Sequence, residues 1–204
     1  LSYLILTLTY SFWLKRMALA DTLALSFLYT LRLIMGAVLA GVALSTWLMV
    51  FSMFLFVSLS LAKRHVEVLR RTAAGERRVA NRGYRAEDAG LTLGLGLATA
   101  TVSPLILVLY LIESAWPSGA YQTPEALWVA PAALAGWLMR IWLLANRGEL
   151  DDDPVVFAIK DVPSLLIGAL LAAGVVAAAL LPPGSARMLN VNDLLGLHAT
   201  DAGR

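Results

Sequence analysis

The sequence predicts an all-α protein, a polytopic bundle of transmembrane helices. Three observations carry that reading. The 204 residues are 59% hydrophobic and 15% charged, whereas soluble domains hold about 25% charged residues. Five apolar segments, roughly 21–41, 45–62, 91–112, 127–146 and 163–181, each have about the 20 residues that a helix needs to cross hydrocarbon. Finally, the charged residues gather in alternate connections between those segments. Unbroken runs of this length are not barrel strands, which take about 10 residues with alternating polarity.

Taken in order, residues 1–12 read as the end of a further span. They lack the basic lead that a secretory signal carries. The chain opens on Leu1 inside an apolar run, so it reads as the C-terminal portion of a longer protein. The first connection, 13–20, holds Lys15 and Arg16, and the second, "GVALS", has no charge. The third, about 63–90, carries eight basic residues: Lys63, Arg64, Arg70, Arg71, Arg77, Arg78, Arg82 and Arg85. The fourth, "ESAWPSGAYQTP", has no basic residue, and the fifth, 147–162, has Arg147 and Lys160. The excess of Lys and Arg puts the first, third and fifth connections on the cytoplasmic side of an inner membrane. Trp47, Trp116, Tyr121 and Trp128 fall near the opposite ends, as an aromatic belt would. Residues 1–181 form the membrane domain and 182–204 a polar tail.

Composition also excludes. The chain has no cysteine, hence neither a disulfide framework nor a thiolate metal site. A net charge of +2 implies no nucleic-acid surface. "GLGLA" lies inside a spanning segment with no strand before it and is not a dinucleotide loop. Gly36, Gly41, Gly90, Gly94, Gly96, Gly168 and Gly174 are positions where helix backbones could approach closely.

The polar residues collect at the basic side. Lys63 and Glu67 are four apart and share a helix face, with Arg64 rotated from it. As an exposed pair they are worth only a few tenths of a kcal/mol, and Lys63 and Arg64 also suit ordinary flanking positions. His65 suits a solvent-facing or packing role. Asp153 before Pro154 reads as an N-cap with Pro at the first helical position. Asp151 and Asp152 read as solvated loop charges or as metal ligands. Arg32 lies eleven residues past Asp21, about 16 Å at helical rise. A charge at that depth costs roughly 2.5–3.5 kcal/mol, so Arg32 needs a polar cavity or a partner. Cations and carboxylates at one mouth suit a phosphate-rich substrate held with Mg²⁺.

"YSFWLKRMALADTLALSFLYTLRLIMGAVLAGV" and "FLFVSLSLAKRHVEVLRR" resemble the UbiA superfamily of intramembrane prenyltransferases, closest to its decaprenyl-phosphate phosphoribosyltransferase-like branch. "GYRAED" and "DDDPVVFAIKD" are similar to stretches of that branch, some members of which are fused to a phosphatase-like domain. The resemblance implies about nine helices around a cavity open to the cytoplasm, about six of them present here. The N-terminal helices, or a phosphatase-like domain, would be partners outside this chain. Two acidic motifs would bind Mg²⁺ and diphosphate. The first, NDxxDxxxD, has no counterpart here, since Asn192–Asp193 stands alone in the tail. At the second, DxxxD, stand Lys63 and Glu67. Lys63 and Glu67 thereby become the candidate catalytic residues. Tyr10, Lys15, Arg32, Lys63 and Arg64 become candidate phosphate contacts, and Glu67, Asp152 and Asp153 candidate metal ligands. A Lys in place of a carboxylate suits a donor rich in phosphate charge.

The expected function is Mg²⁺-dependent transfer of a phosphoribosyl group from phosphoribosyl pyrophosphate, a diphosphate-containing donor, to a lipid-linked acceptor, a polyprenyl phosphate. The alternatives are prenyl transfer from a prenyl diphosphate to an aromatic or other acceptor, and a non-enzymatic transporter or scaffold. A transporter often shows repeated halves or broken helices, and neither is visible in the sequence.

Overall fold

The structure, a computed structural model, describes residue 7 and residues 9–41, 44–76, 83–150 and 153–182. Asp151, Asp152, Arg77, Arg78, Arg82 and the polar tail beyond 182 lie outside the described residues, as do residues 1–6.

Among the described residues the protein is an all-α bundle. Five of its helical stretches are long and apolar enough to span a membrane. A helical run over 9–12 and a 3₁₀ turn, Leu14–Arg16, lead into α1, Ala20–Leu39. Next come α2, Thr46–Ala73, and α3, Ala89–Tyr110, which continues through a π-turn, Leu111–Ala115. A 3₁₀ turn, Pro124–Trp128, opens α4, Val129–Arg147. The short α5, Pro154–Ala158, precedes α6, Val162–Leu180.

The polar run after Ala62 does not end α2. The helix continues to Ala73, eleven residues past the predicted end of the span. At 1.5 Å per residue its 28 residues measure about 42 Å, while the hydrocarbon is about 30 Å thick. Two to three turns therefore stand beyond the apolar layer. Those turns carry Lys63 to Arg71, and Leu, Arg and Lys are good helix formers.

α2 is the hub, packing on α1, α3, α4 and α5. Its central knot joins three helices. The Ser58 hydroxyl donates to the Gly96 carbonyl at 3.1 Å and accepts from Trp142 Nε1 at 2.9 Å. The Trp142 ring fills the place a Cβ on Gly96 would occupy. Leu61, Ala62, Val66, Leu138, Ile141 and Ala145 close around this knot as the core. Gly174 meets the Val129 side chain in the same way. Gly36, Gly41, Gly90, Gly94 and Gly168 have nothing near their missing Cβ, so the expected close helix approach holds at two of the seven glycines.

Outward faces are apolar. α6 exposes Leu165, Leu166, Leu170, Val176 and Leu180, and α1 exposes Leu23, Phe27 and Val38. α4 stops at Gly148, whose φ of +72° needs a residue without a Cβ clash.

The Gly96–Trp142 contact makes a direct prediction. Gly96→Ala should overpack the knot and destabilise the protein by about 1–3 kcal/mol. Gly94→Ala, with open space around it, should be neutral or stabilising by up to about 1 kcal/mol. Thermal unfolding of both variants in lipid nanodiscs checks the contrast.

Candidate functional site

The helix ends sort the charges. The start of α1, the end of α2, the start of α3, the end of α4 and α5 all meet at one end of the bundle, through the contacts described below. The alternation of basic connections seen in the sequence is thus a real asymmetry of the fold.

At that end the chain first buries a charge network. Asp21, fully buried in the first turn of α1, has Oδ2 2.9 Å from Arg64 Nε of α2, an ion pair whose atoms are not aligned as a hydrogen bond. Tyr10 donates its phenol hydroxyl to the other Asp21 oxygen at 2.9 Å. Arg64 is 2% exposed, and its Nη1 holds Glu67 one turn further along. A buried ion survives only beside opposite charge, and Arg64 has two carboxylates, Asp21 and Glu67.

The turn before α1 is held from the third connection. Leu19 adopts a φ of +63°, an uncommon region for a branched residue. Its amide donates to the Tyr84 hydroxyl at 2.9 Å, which also pairs with Thr22 Oγ1 at 2.8 Å. Tyr84 is buried, and that burial pushes its phenol above the usual value, against the opposing pull of Thr22 and Leu19. Gly83 lies so close that a Cβ there would sit 2.8 Å from the Arg16 carbonyl oxygen. "GYRAED" therefore works as a clamp on the Asp21 turn.

Beside this network, a narrow groove with about 20 Å³ of free space, room for about one water, opens between α1, α2 and α5. Leu25, Tyr29, Phe56 and Leu59 form its apolar wall, with Ser60, Lys63 and Asp153 at the polar end. Tyr29 and Phe56 stack with centroids 5.1 Å apart. The Arg32 guanidinium lies over Tyr29 at 5.3 Å. Lys63 Nζ meets Asp153 at 3.1 Å, and both side chains are about one-third exposed. Asp153 also caps α5, accepting from the Val155 amide at 2.9 Å, with Pro154 at the first helical position. Burial alone would raise this carboxyl, but Lys63 and the Val155 and Val156 amides hold it below its usual 3.8.

Several assignments change. Lys63 and Glu67 share a helix face but not an ion pair, because Lys63 turns to Asp153 and Glu67 to Arg64. Arg64 is no phosphate contact in this arrangement, since its guanidinium is spent inside the bundle. Tyr10 serves Asp21. Arg32 stacks on the back of the aromatic wall rather than lining the groove. Lys15, half-buried, forms no hydrogen bond or ion pair among the described residues. His65 packs, as expected for one of its two readings, against Trp142 and with Nδ1 3.1 Å from Thr92 Oγ1. The metal set does not assemble. Glu67 and Asp153 are each held by a cation, Asp152 lies outside the described residues, and no group of three acidic or His side chains among the described residues could hold an ion.

One position is absent from the sequence reading. Arg140, one charge inside an apolar helix, makes a two-pronged pair with Asp161 at 2.6 and 3.0 Å. Asp161 also caps α6 by accepting from the Ser164 amide and hydroxyl. The need of an intramembrane Arg for a carboxylate would have found it. Arg70, donating to the Leu150 carbonyl at 2.8 Å, ties the fifth connection to α2.

The architecture defines a multi-pass α-helical membrane protein with most of its charged residues gathered at one end. The chain is 49% identical over 176 residues to the uncharacterised protein y4nM of Sinorhizobium fredii, a match covering 86% of this chain and 34% of that protein. It is 28% identical over 178 residues to nodulation protein NoeC of Azorhizobium caulinodans, covering 86% of this chain and 57% of that protein. The chain thus spans about one-third and somewhat over one-half of the length of these relatives. No protein-family model matches it.

Two measurements follow. Asp21→Asn should cost about 3–5 kcal/mol by leaving the Arg64 charge buried and underpaired, while Asp21→Leu with Arg64→Met should recover part of that loss; a double-mutant cycle on unfolding in detergent reads it. For Asp153, a depressed folded pKa means stabilisation present above the unfolded value and lost as pH falls through the folded one. A nitroxide at Val156, in a chain without native cysteine, should therefore stay immobile down to below pH 3.8 and gain mobility on further acidification. Asp153→Ala, which removes both the cap and the ion pair, should make it mobile at every pH.

Proposed function

We propose that this chain is part of a UbiA-type transferase that moves a phosphoribosyl group from phosphoribosyl pyrophosphate to a polyprenyl phosphate. Its charged end faces the cytoplasm in this reading, because the basic connections lie there. The observation that carries the proposal is the placement of Lys63. It stands at the polar end of an apolar, aromatic-walled groove, paired only with a carboxylate that water reaches. An exposed pair of this kind is worth about 0–1 kcal/mol. A phosphate, with more charge and three oxygens, displaces Asp153 from the ammonium. The isoprenoid chain then lies along Tyr29, Phe56 and Leu59.

In the transfer, a phosphate oxygen of the acceptor forms a bond to C1 of the ribose. The C1–O bond to pyrophosphate breaks, and its electron pair leaves with the pyrophosphate. Lys63 positions one phosphate and offsets charge, and Lys15 offers a second cation. Such positioning and charge stabilisation are the usual protein contributions to this chemistry. Mg²⁺ enters the proposal through the family resemblance alone. The described carboxylates do not fit a metal centre, and no step is assigned to it. The name of the Azorhizobium relative adds nodulation to the proposal as the setting in which the product is used.

A second reading has its own support. The Tyr29 face already accepts the Arg32 cation. The same stacked pair would stabilise an allylic cation if the donor were a prenyl diphosphate.

The test offers the native full-length protein, in vesicles with Mg²⁺, either labelled phosphoribosyl pyrophosphate with polyprenyl phosphate or labelled prenyl diphosphate with an aromatic acceptor. Label should enter lipid from phosphoribosyl pyrophosphate and fall at least about 100-fold in Lys63→Asp, the scale of losing one positioned charge. Prenylation that persists in Lys63→Asp would replace this reading with the second.

A further inference from the structure

A second cavity lies at the end of the bundle opposite the charged groups. It offers about 460 Å³ of free space, open on one side, between the start of α2 and the end of α3. Five of its lining residues carry hydroxyls: Ser45, Tyr110, Ser114, Ser118 and Tyr121. Among the described residues, no charged side chain lines it.

The backbone is shaped for this wall. At Leu111–Ala115 the helix widens to a π-turn, closed by the Trp116 amide on the Leu111 carbonyl at 3.0 Å. Such turns recur at functional sites. In that turn lies Ser114, whose Oγ sits 2.8 Å from Ser45 Oγ at the start of α2. Ser118 donates to the Ala115 carbonyl and accepts the Ala120 amide. The loop beyond is tied down as well. Trp116 meets Trp128 edge-on at 5.5 Å and donates to the Pro124 carbonyl, and Thr123 donates to the Leu181 carbonyl at the end of α6. The Tyr110 and Tyr121 phenols, both half-buried, have no hydrogen-bond partner among the described residues.

Hydroxyls of Ser and Tyr both donate and accept, which matches a ligand that is itself hydroxylated. A wall without Lys or Arg offers a phosphate nothing to offset its charge. The cavity lies level with Trp47, Trp116 and Trp128, at the depth where amphipathic rings meet lipid headgroups. We propose that this cavity binds the neutral, hydroxyl-bearing headgroup of an amphiphile, at the end of the bundle away from Lys63. The proposal stands independently of the transferase reading.

The experiment uses the full-length protein in phosphatidylcholine nanodiscs with a photoreactive monoacylglycerol. Saturable labelling of the 110–121 segment is expected. Unlabelled monoacylglycerol should compete at least tenfold better than lysophosphatidate. Competition by glycerol as well would show that the headgroup alone is recognised; no competition by glycerol would show that the acyl chain is needed. Both results support the site. Tyr110→Phe with Tyr121→Phe keeps both rings and should weaken labelling about fivefold per hydroxyl removed. If that double variant loses helicity, the wild-type competition series decides alone. Labelling spread evenly over lipid-facing residues, or lysophosphatidate competing equally well, would overturn the proposal.

Discussion

Everything at the charged end of this protein depends on one buried ion pair, Asp21 with Arg64. Neither group tolerates burial alone, so the first turn of α1 and the late turns of α2 are forced together at a fixed height. Tyr10 and Glu67 complete the two ions, and the Gly83–Tyr84 clamp holds the strained turn that delivers Asp21. Once Arg64 is turned inward, Lys63, one residue earlier and about 100° around the helix, is turned outward into the groove. The structural charge and the available charge are thus adjacent in sequence and opposite in role.

The same economy runs through the rest of the fold. Asp153 caps α5 with one oxygen and holds Lys63 with the other. Asp161 caps α6 and holds Arg140. Both helices that follow α4 are thus begun by a carboxylate that also neutralises a cation from another helix. The far end has no such pairs among the described residues and uses hydroxyls, indoles and carbonyls instead. One end is built on ion pairs; the other carries Glu113 and Glu125 but no basic residue among those described.

Much of this was legible in the sequence, because the bilayer demands it. The five spans follow from length and apolarity, and the charged end from the alternation of basic connections. The Asp153–Pro154 cap is local chemistry that a tripeptide encodes. Partner choice was not legible. Lys63 and Glu67 have the right spacing for each other, yet each found a better partner from elsewhere: Lys63 on α5 and Glu67 in the guanidinium of Arg64. Spacing reports which side chains share a face, whereas desolvation decides which of them pair. Arg64 could be placed only by knowing that Asp21 is buried beside it. The π-turn at Leu111–Ala115 leaves no simple periodic mark, so the hydroxyl-lined cavity had no sequence signal beyond a scatter of Ser and Tyr.

The central claim is that Arg64 belongs to the structure and Lys63 to an anionic ligand. Binding of polyprenyl phosphate and unfolding, measured side by side for Lys63→Met and Arg64→Met in nanodiscs, test it most directly. The account predicts that Lys63→Met loses phosphate affinity while keeping its stability, and that Arg64→Met loses stability. A Lys63→Met protein that binds polyprenyl phosphate as tightly as the parent, or an Arg64→Met protein of parental stability that no longer binds it, would contradict the account.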